Sequence, residues 1–330
     1  MTKKVLCLFL AACLFALCTP ALAAGDLCGQ TAQALQKMVP QPSFGASGGE
    51  WSVFALARWG GEVPRQYFDG YLSRLTETVR RSEGVLHKRK YSEYSRAVIA
   101  LTALGENPRD VGGYDLLAPL ADGENTVRQG VNGAVYALLA LDCGGYALPG
   151  ARERYLDFLL NRELPGGGFA LAGEMADPDV TAMALQALAR YRGDGEVDAV
   201  IDRALARLSR MQKATGGYEG WGSDSCDSTA QVIVALGELG VALDDARFVK
   251  NGVGLLDNLL SYRLPDGSFS HTPGGESNLM ATEQAFYALV SVQRLREGKS
   301  SLYRMTQPVL PDARALARMG RAVFYLAFGL

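Results

Sequence analysis

The sequence predicts an all-α protein, an α/α toroid in which six helical hairpins build a two-layer helical barrel. Three observations lead there. A glycine–aromatic turn recurs at near-constant spacing, and a helix of like composition follows each copy. Helices with one apolar face also alternate with helices that are apolar nearly all round. The chain has 330 residues, 48% of them hydrophobic, which is ample for a sizeable core. Its net charge of −2 gives no electrostatic footprint for nucleic acid.

Taken in chain order, residues 1–23 read as a signal peptide. Lys3 and Lys4 form a short positive region, Val5 to Leu17 is apolar, and Ala21-Leu22-Ala23 offers a small-residue cleavage site. Leu10-Ala11-Ala12-Cys13 also resembles a lipobox, but the apolar run continues well past Cys13. Cleavage near Ala23 sends the protein to the cell surface or the medium. Cys28, Cys143 and Cys226 then remain, an odd number in an oxidising compartment, so at least one thiol has no partner in its own chain.

Residues 24–305 carry the toroid. Gly167-Gly168-Phe169 recurs as Gly216-Gly217-Tyr218 and as Gly267-Ser268-Phe269, with aromatics 49 and 51 positions apart. The helices that follow align as Thr181 to Leu188, Thr229 to Leu236 and Thr282 to Leu289. Four residues ahead of each threonine stand Asp177, Ser225 and Asn278, whose side-chain oxygens suit a helix N-cap. Pro178 follows Asp177, where a first-turn proline loses no hydrogen bond.

Inner helices are predicted at Trp51 to Trp59, Glu93 to Leu104, Gln129 to Leu141, Asp179 to Tyr191, Asp227 to Leu239 and Met280 to Leu295. Outer helices are predicted at Arg65 to Arg81, Ala151 to Leu160, Glu196 to Gln212 and Phe248 to Tyr262. Val197, Val200, Ile201, Ala204, Leu205 and Leu208 form the single apolar stripe of an outer helix, whereas Ala230 to Leu236 is apolar all round. An open solenoid of helix pairs is the alternative; closure spares it exposed apolar ends. Residues 306–330 form a separate segment. Asp312 to Phe328 reads as an amphipathic helix, with Arg314, Arg318 and Arg321 on one stripe and Leu316, Met319, Val323 and Leu326 on another. It is too short an apolar run to span a bilayer; it docks on the toroid, lies on a membrane surface as a peripheral contact, or is a disordered or truncated appendage.

Gln212-Lys213-Ala214-Thr215-Gly216-Gly217-Tyr218 resembles the Q-x-x-x-G-x-W turn repeated in terpene cyclases and protein prenyltransferase β subunits, with Tyr in place of Trp. Glu163 and Arg263 stand in for the Gln in the neighbouring copies. From about Thr31 to Met305 the chain is similar to exported bacterial proteins with prenyltransferase/squalene-oxidase repeats. Gly48-Gly49-Glu50-Trp51, Tyr94-Ser95-Arg96 and Thr229-Ala230-Gln231 carry part of that likeness. The resemblance implies a toroid of the terpenoid cyclase/protein prenyltransferase type. Vertebrate cobalamin carriers are similar at the toroid level; they hold the corrinoid against a C-terminal β domain, for which this sequence shows no pattern.

Asp177-Pro178-Asp179-Val180-Thr181-Ala182 looks like the D-x-D-D-T-A stretch of class II terpene cyclases. That likeness implies Asp179 as proton donor, but Val180 replaces the third acid. Asp224-Ser225-Cys226 resembles the Asp-x-Cys zinc ligands of prenyltransferases, and His271 is the later histidine. Two ligands and a loop histidine make a weak metal site, so none is expected.

Inner-helix N-termini converge on one mouth of the ring, and their free N–H groups suit polar or anionic ligand groups. Asp179 and Asp227 occupy equivalent places in adjacent repeats and are the candidate catalytic pair, or else first-turn acids that stabilise their helices. Trp51, Tyr94, Arg96, Gln129, Asn132, Tyr136, Asp177, Trp221, Gln231, Asn278, Glu283 and Gln284 are the candidate ligand-binding residues, with Tyr287 a further ring in the same wall. The aromatic ones equally suit a plain core, and the polar ones equally suit bonds to neighbouring helices. His87 sits among Lys88, Arg89 and Lys90 and reads as a solvated loop.

The expected function is non-catalytic: an exported toroid binding a small molecule or a surface partner at its mouth, with no cofactor. The incomplete acid motif and the weak metal set favour that reading. The alternatives are a cyclase-like enzyme with Asp179 as the acid, and a glycan-processing enzyme using Asp179 and Asp227.

Overall fold

A computed structural model describes residues 19–220 and 222–305. The expected signal segment and the expected helix over 312–328 thus lie outside the described residues, apart from the signal's last few. Those last few open helix α1 (Thr19–Met38), inside which the expected cleavage point near Ala23 falls.

Among the described residues twelve helices alternate between two layers. The outer layer holds α1, α3 (Arg65–Arg81), α7 (Ala151–Leu160), α9 (Gly195–Met211) and the short α11 (Leu255–Leu260). Its remaining position is filled by a 3-10 turn, Ala118–Ala121, with the five-residue α5 (Gly123–Val127). The inner layer holds α2 (Trp51–Trp59), α4 (Ser92–Leu104), α6 (Val131–Cys143), α8 (Pro178–Leu188), α10 (Cys226–Leu239) and α12 (Leu279–Arg296). Each inner helix packs on the next, and α12 packs back on both α2 and α1, so the ring is closed. Strict alternation sends all six inner helices the same way, which gathers their N-termini at one end.

The repeated residues explain the regularity. Phe169, Tyr218 and Phe269 are fully buried wedges. The threonine that opens each aligned helix ties that helix to its wedge: Phe169 N donates to Thr181 Oγ1 (2.9 Å), Tyr218 N to Thr229 Oγ1 (3.3 Å) and Phe269 N to Thr282 Oγ1 (3.0 Å). Asp177, Ser225 and Asn278 cap their helices through Val180 N, Ser228 N and Ala281 N. Gln212 secures its turn by donating from Nε2 to Gly216 O (2.7 Å) and to Phe248 O (2.8 Å).

One predicted element is corrected. Residues 248–262 do not form a single outer helix. The 3-10 turn Ala246–Phe248 leads into an antiparallel hairpin, β3 (Val249–Lys250) and β4 (Val253–Gly254), and only then into α11. The cause is Asn251-Gly252, both with positive φ (51° and 80°), the dipeptide that suits a two-residue hairpin turn. A second hairpin, β1 (Tyr218–Gly220) with β2 (Ser223–Ser225), precedes α10. Gly252→Ala is a sign test. Alanine in a helix stabilises by about 1 kcal/mol, whereas alanine forced to positive φ destabilises by about 1 kcal/mol. The hairpin predicts a lowered thermal midpoint.

The far end of the ring is covered by residues 300–305. Glu238 accepts from Ser301 Oγ (2.7 Å) and Tyr303 N (2.9 Å), Arg58 Nε donates to Leu302 O (2.7 Å), and Tyr303 stacks on Phe54 with centroids 5.1 Å apart.

Candidate functional site at the N-terminal mouth

Counting back two residues from the threonine, or from its small buried counterpart Ser95 or Ala134, gives one mouth residue on each of five inner helices: Glu93, Asn132, Asp179, Asp227 and Met280 on α4, α6, α8, α10 and α12. Trp51 is the first residue of α2. One turn deeper lie Tyr136, Met183, Gln231 and Gln284, with Tyr287 below them. The contacts confirm that these residues meet across the axis. Tyr136 OH lies 3.1 Å from Met183 Sδ, and Gln231 Nε2 donates to Gln284 Oε1 (3.0 Å) and to Tyr287 OH. Gln186 Nε2 donates to Gln231 Oε1 at 2.9 Å. Trp51 packs on Tyr136 and Tyr287 with centroids 5.6 and 6.3 Å away.

Asp179 and Asp227 both face this centre. The phenols of Tyr136 and Tyr287 feel the charge of Asp179, and Tyr287 also feels that of Asp227. Burial pushes the Asp179 carboxyl up to about 6. The neighbouring Ser228 hydroxyl and His271 oppose that shift, while Asp177 and Asp227 add to it. No hydrogen bond of standard geometry joins Asp179 Oδ1 to Ser228 Oγ, although that hydroxyl stands close enough to act on the carboxyl. Asp227 is only 6% exposed, and burial raises its pKa against the opposing pull of His271. His271 Nδ1 stands 2.7 Å from Asp227 Oδ2; with its proton on Nδ1 the ring donates to the carboxylate. The other oxygen, Asp227 Oδ1, is buried without a partner.

The histidine arrives on the loop of the following repeat. His271 O accepts from Cys226 N (3.0 Å), which lays that loop across the start of α10. The sequence offered His271 only as a metal ligand, and its pairing with Asp227 was missed. The one available signal was its place two residues beyond the buried Phe269, on the turn that precedes α12.

Other candidates are engaged elsewhere. Gln129 precedes α6 and exchanges hydrogen bonds with Ser92, donating to Oγ and accepting from N, each at 3.0 Å. Asp177 and Asn278 are spent as caps. Tyr94 packs on Tyr91 and faces the backbone N–H groups of Leu86 and His87. Arg96 pairs with Glu93 and lies 3.6 Å from Glu50. Glu283 accepts from Ser52 Oγ and from Gly48 N (3.0 Å). Trp221 lies outside the described residues.

The weak metal set does not assemble. Asp224 is ion-paired with Lys213, the Cys226 thiol is buried and its pKa raised far above the ordinary range, and His271 is given to Asp227. Among the described residues no group of three His, Cys, Asp or Glu could hold a metal ion.

No protein-family model matches the chain, and no curated protein matches it. Solved structures do match. Type II terpene cyclase MstE from Scytonema is similar with a TM-score of 0.54 and 16% identity, over 82% of this chain and 99% of that one. An unsaturated glucuronyl hydrolase from Bacillus sp. GL1, responsible for glycosaminoglycan degradation, is similar with a TM-score of 0.53 and 14% identity, over 85% and 98%. A polysaccharide lyase matches with a TM-score of 0.54 and 12% identity, over 84% and 98%. At such identity the likeness is one of fold, and what these proteins share with this chain is the α/α toroid.

Proposed function

We propose that this protein is an exported toroid that binds a small molecule at the N-terminal mouth of its ring. The observation that carries the reading is Asp227 Oδ1, a buried carboxylate oxygen without a partner, next to the raised carboxyl of Asp179 on the adjacent inner helix. Buried polar atoms are ordinarily hydrogen-bonded, so an oxygen such as Asp227 Oδ1, with no donor in the chain, can take one from a ligand. Trp51 and Tyr136 remain partly exposed beside the two carboxyls and offer ring surface to the same ligand.

The test is a fragment library screened by ligand-observed NMR against the purified chain. Fragments bearing hydroxyl or amide donors beside an apolar ring should bind, and Asp179→Asn and Asp227→Asn should each weaken them about tenfold, the worth of one hydrogen bond. Binding indifferent to both variants would place the ligand site elsewhere and end the reading.

A specific observation favours a second reading, acid–base catalysis. Asp179 titrates near 6 and can hold a proton, while the Asp227–His271 pair beside it can accept one. Turnover of any prenyl or glycan substrate that vanishes in both Asp179→Asn and His271→Ala would establish it over simple binding.

A further inference from the structure

We infer that the ligand of this mouth is a neutral saccharide, seated with its hydroxyl edge on α6, α8 and α10 and its C–H face toward α2 and α12. This rests on the mouth being a small-molecule site. The inference comes from how polar and apolar groups are divided around one level of the ring.

On one arc stand three buried oxygens that make no hydrogen bond of standard geometry: Asn132 Oδ1, Asp179 Oδ1 and Asp227 Oδ1. They hold the same place on three consecutive inner helices, two residues ahead of Ala134, Thr181 and Thr229. Ser228 Oγ, also unpartnered, stands beside Asp179. On the opposite arc Met280 holds that place on α12, and Trp51 is the first residue of α2, the helix on which α12 closes the ring. Met280 is 52% exposed, the only exposed large hydrophobic on an inner helix among the described residues. Trp51 is held by Tyr136 and Tyr287 and keeps part of its surface open.

Packed helix axes lie about 8–10 Å apart, so acceptors on three neighbouring helices call for donors spread along an edge. A pyranose meets that demand: its hydroxyls radiate around the rim, and its axial C–H bonds give an apolar face suited to an indole. A prenyl chain has no donors for Asn132 or Asp227. A diphosphate would bring further acceptors to an arc of acceptors. An ammonium group concentrates its donors at one point, whereas these oxygens stand on three different helices.

Isothermal titration calorimetry at pH 7 on the full chain tests this. The probes are neutral gluco-, manno- and N-acetylglucosamine oligosaccharides, with geranylgeraniol and spermidine as the competing chemistries. At least one oligosaccharide series should bind, and Trp51→Ala and Asp227→Asn should each weaken it by tenfold or more. Trp51→Phe, which keeps an aromatic face, should retain most of the affinity and shows that loss in the alanine variant is not misfolding. No saccharide binding, or saccharide binding unchanged in Asp227→Asn, overturns the inference. If geranylgeraniol or spermidine binds instead and depends on Asp227, the saccharide fails while the mouth stands as a ligand site. If nothing in this panel or in the fragment library responds to Asp227→Asn, both fail together.

Discussion

Gly267→Ala is expected to lower the free energy of unfolding by about 3 kcal/mol, more than any ordinary turn glycine. Two costs add. Gly267 has φ of 89°, and a side chain in that region costs about 1–2 kcal/mol. An added Cβ would also stand 2.7 Å from the carbonyl oxygen of Gln30, a backbone atom that has to shift with its helix. Gln30 lies on α1, at the other end of the chain, so this one approach reports on the seam where the last repeat meets the first helix. The matching glycines meet the next outer element in the same way. A Cβ added at Gly167 would stand 2.6 Å from Arg203 O of α9, and one added at Gly216 would stand 2.8 Å from Gly254 O of β4. Gly173 is the control, because its φ is 77° and its Cβ would meet nothing within 4 Å. Gly173→Ala should cost only about 1 kcal/mol of strain. Urea denaturation of the two variants separates strain from close packing. Equal losses at Gly267 and Gly173 would mean that the seam is loose and the ring does not close as described.

The ring was legible because its signals are local and repeated. A buried aromatic, a positive-φ glycine and a threonine recur together, and the structure shows the bond that links them, aromatic N–H to threonine hydroxyl. Cap residues marked helix starts for the same reason: Asp177, Ser225 and Asn278 act on atoms three positions away. The outer layer was less legible where its pieces are short. Residues 248–262 contain the apolar residues of a helix face, and that periodicity masked the Asn251-Gly252 turn that breaks it. At the mouth, Asp179 and Asp227 could be paired from repeat alignment alone. The partner of Asp227 could not, since His271 lies 44 positions away on another repeat's loop and only the closed ring brings it over α10. The same holds for Arg96 and Glu50, and for Glu283 and Gly48, whose contacts cross between helices of different hairpins.

Those last contacts give this protein an unusual dependence on pH. Burial raises the Glu50 carboxyl to about 7, against the opposing influence of Arg96, the Gly45 N–H and Tyr71. Burial likewise raises Glu283 to about 7, against Ser52 and the Gly48 N–H. Both start from 4.5, so the folded state holds on to a proton that the unfolded chain releases. Stability from each group is therefore complete below about pH 4.5 and is lost as pH rises through 7. At 1.36 kcal/mol per pH unit the loss is on the order of 3 kcal/mol for each glutamate. Asp179, raised to about 6, acts in the same direction. Carboxylates with lowered pKa, such as Asp245 at about 2, gain their stabilising charge below pH 5 and leave this window untouched. The protein should thus melt at a lower temperature at pH 8 than at pH 5, the reverse of the usual acid sensitivity. Glu283→Gln keeps the shape and an acceptor for Gly48 N and Ser52 Oγ but cannot ionise. It should flatten the profile and raise the melting temperature at pH 8, with little change at pH 5. A wild-type melting temperature that climbs from pH 5 to pH 8, or a Glu283→Gln profile parallel to the wild type, would show that these carboxyls are not held neutral beneath the Gly48-Gly49 loop.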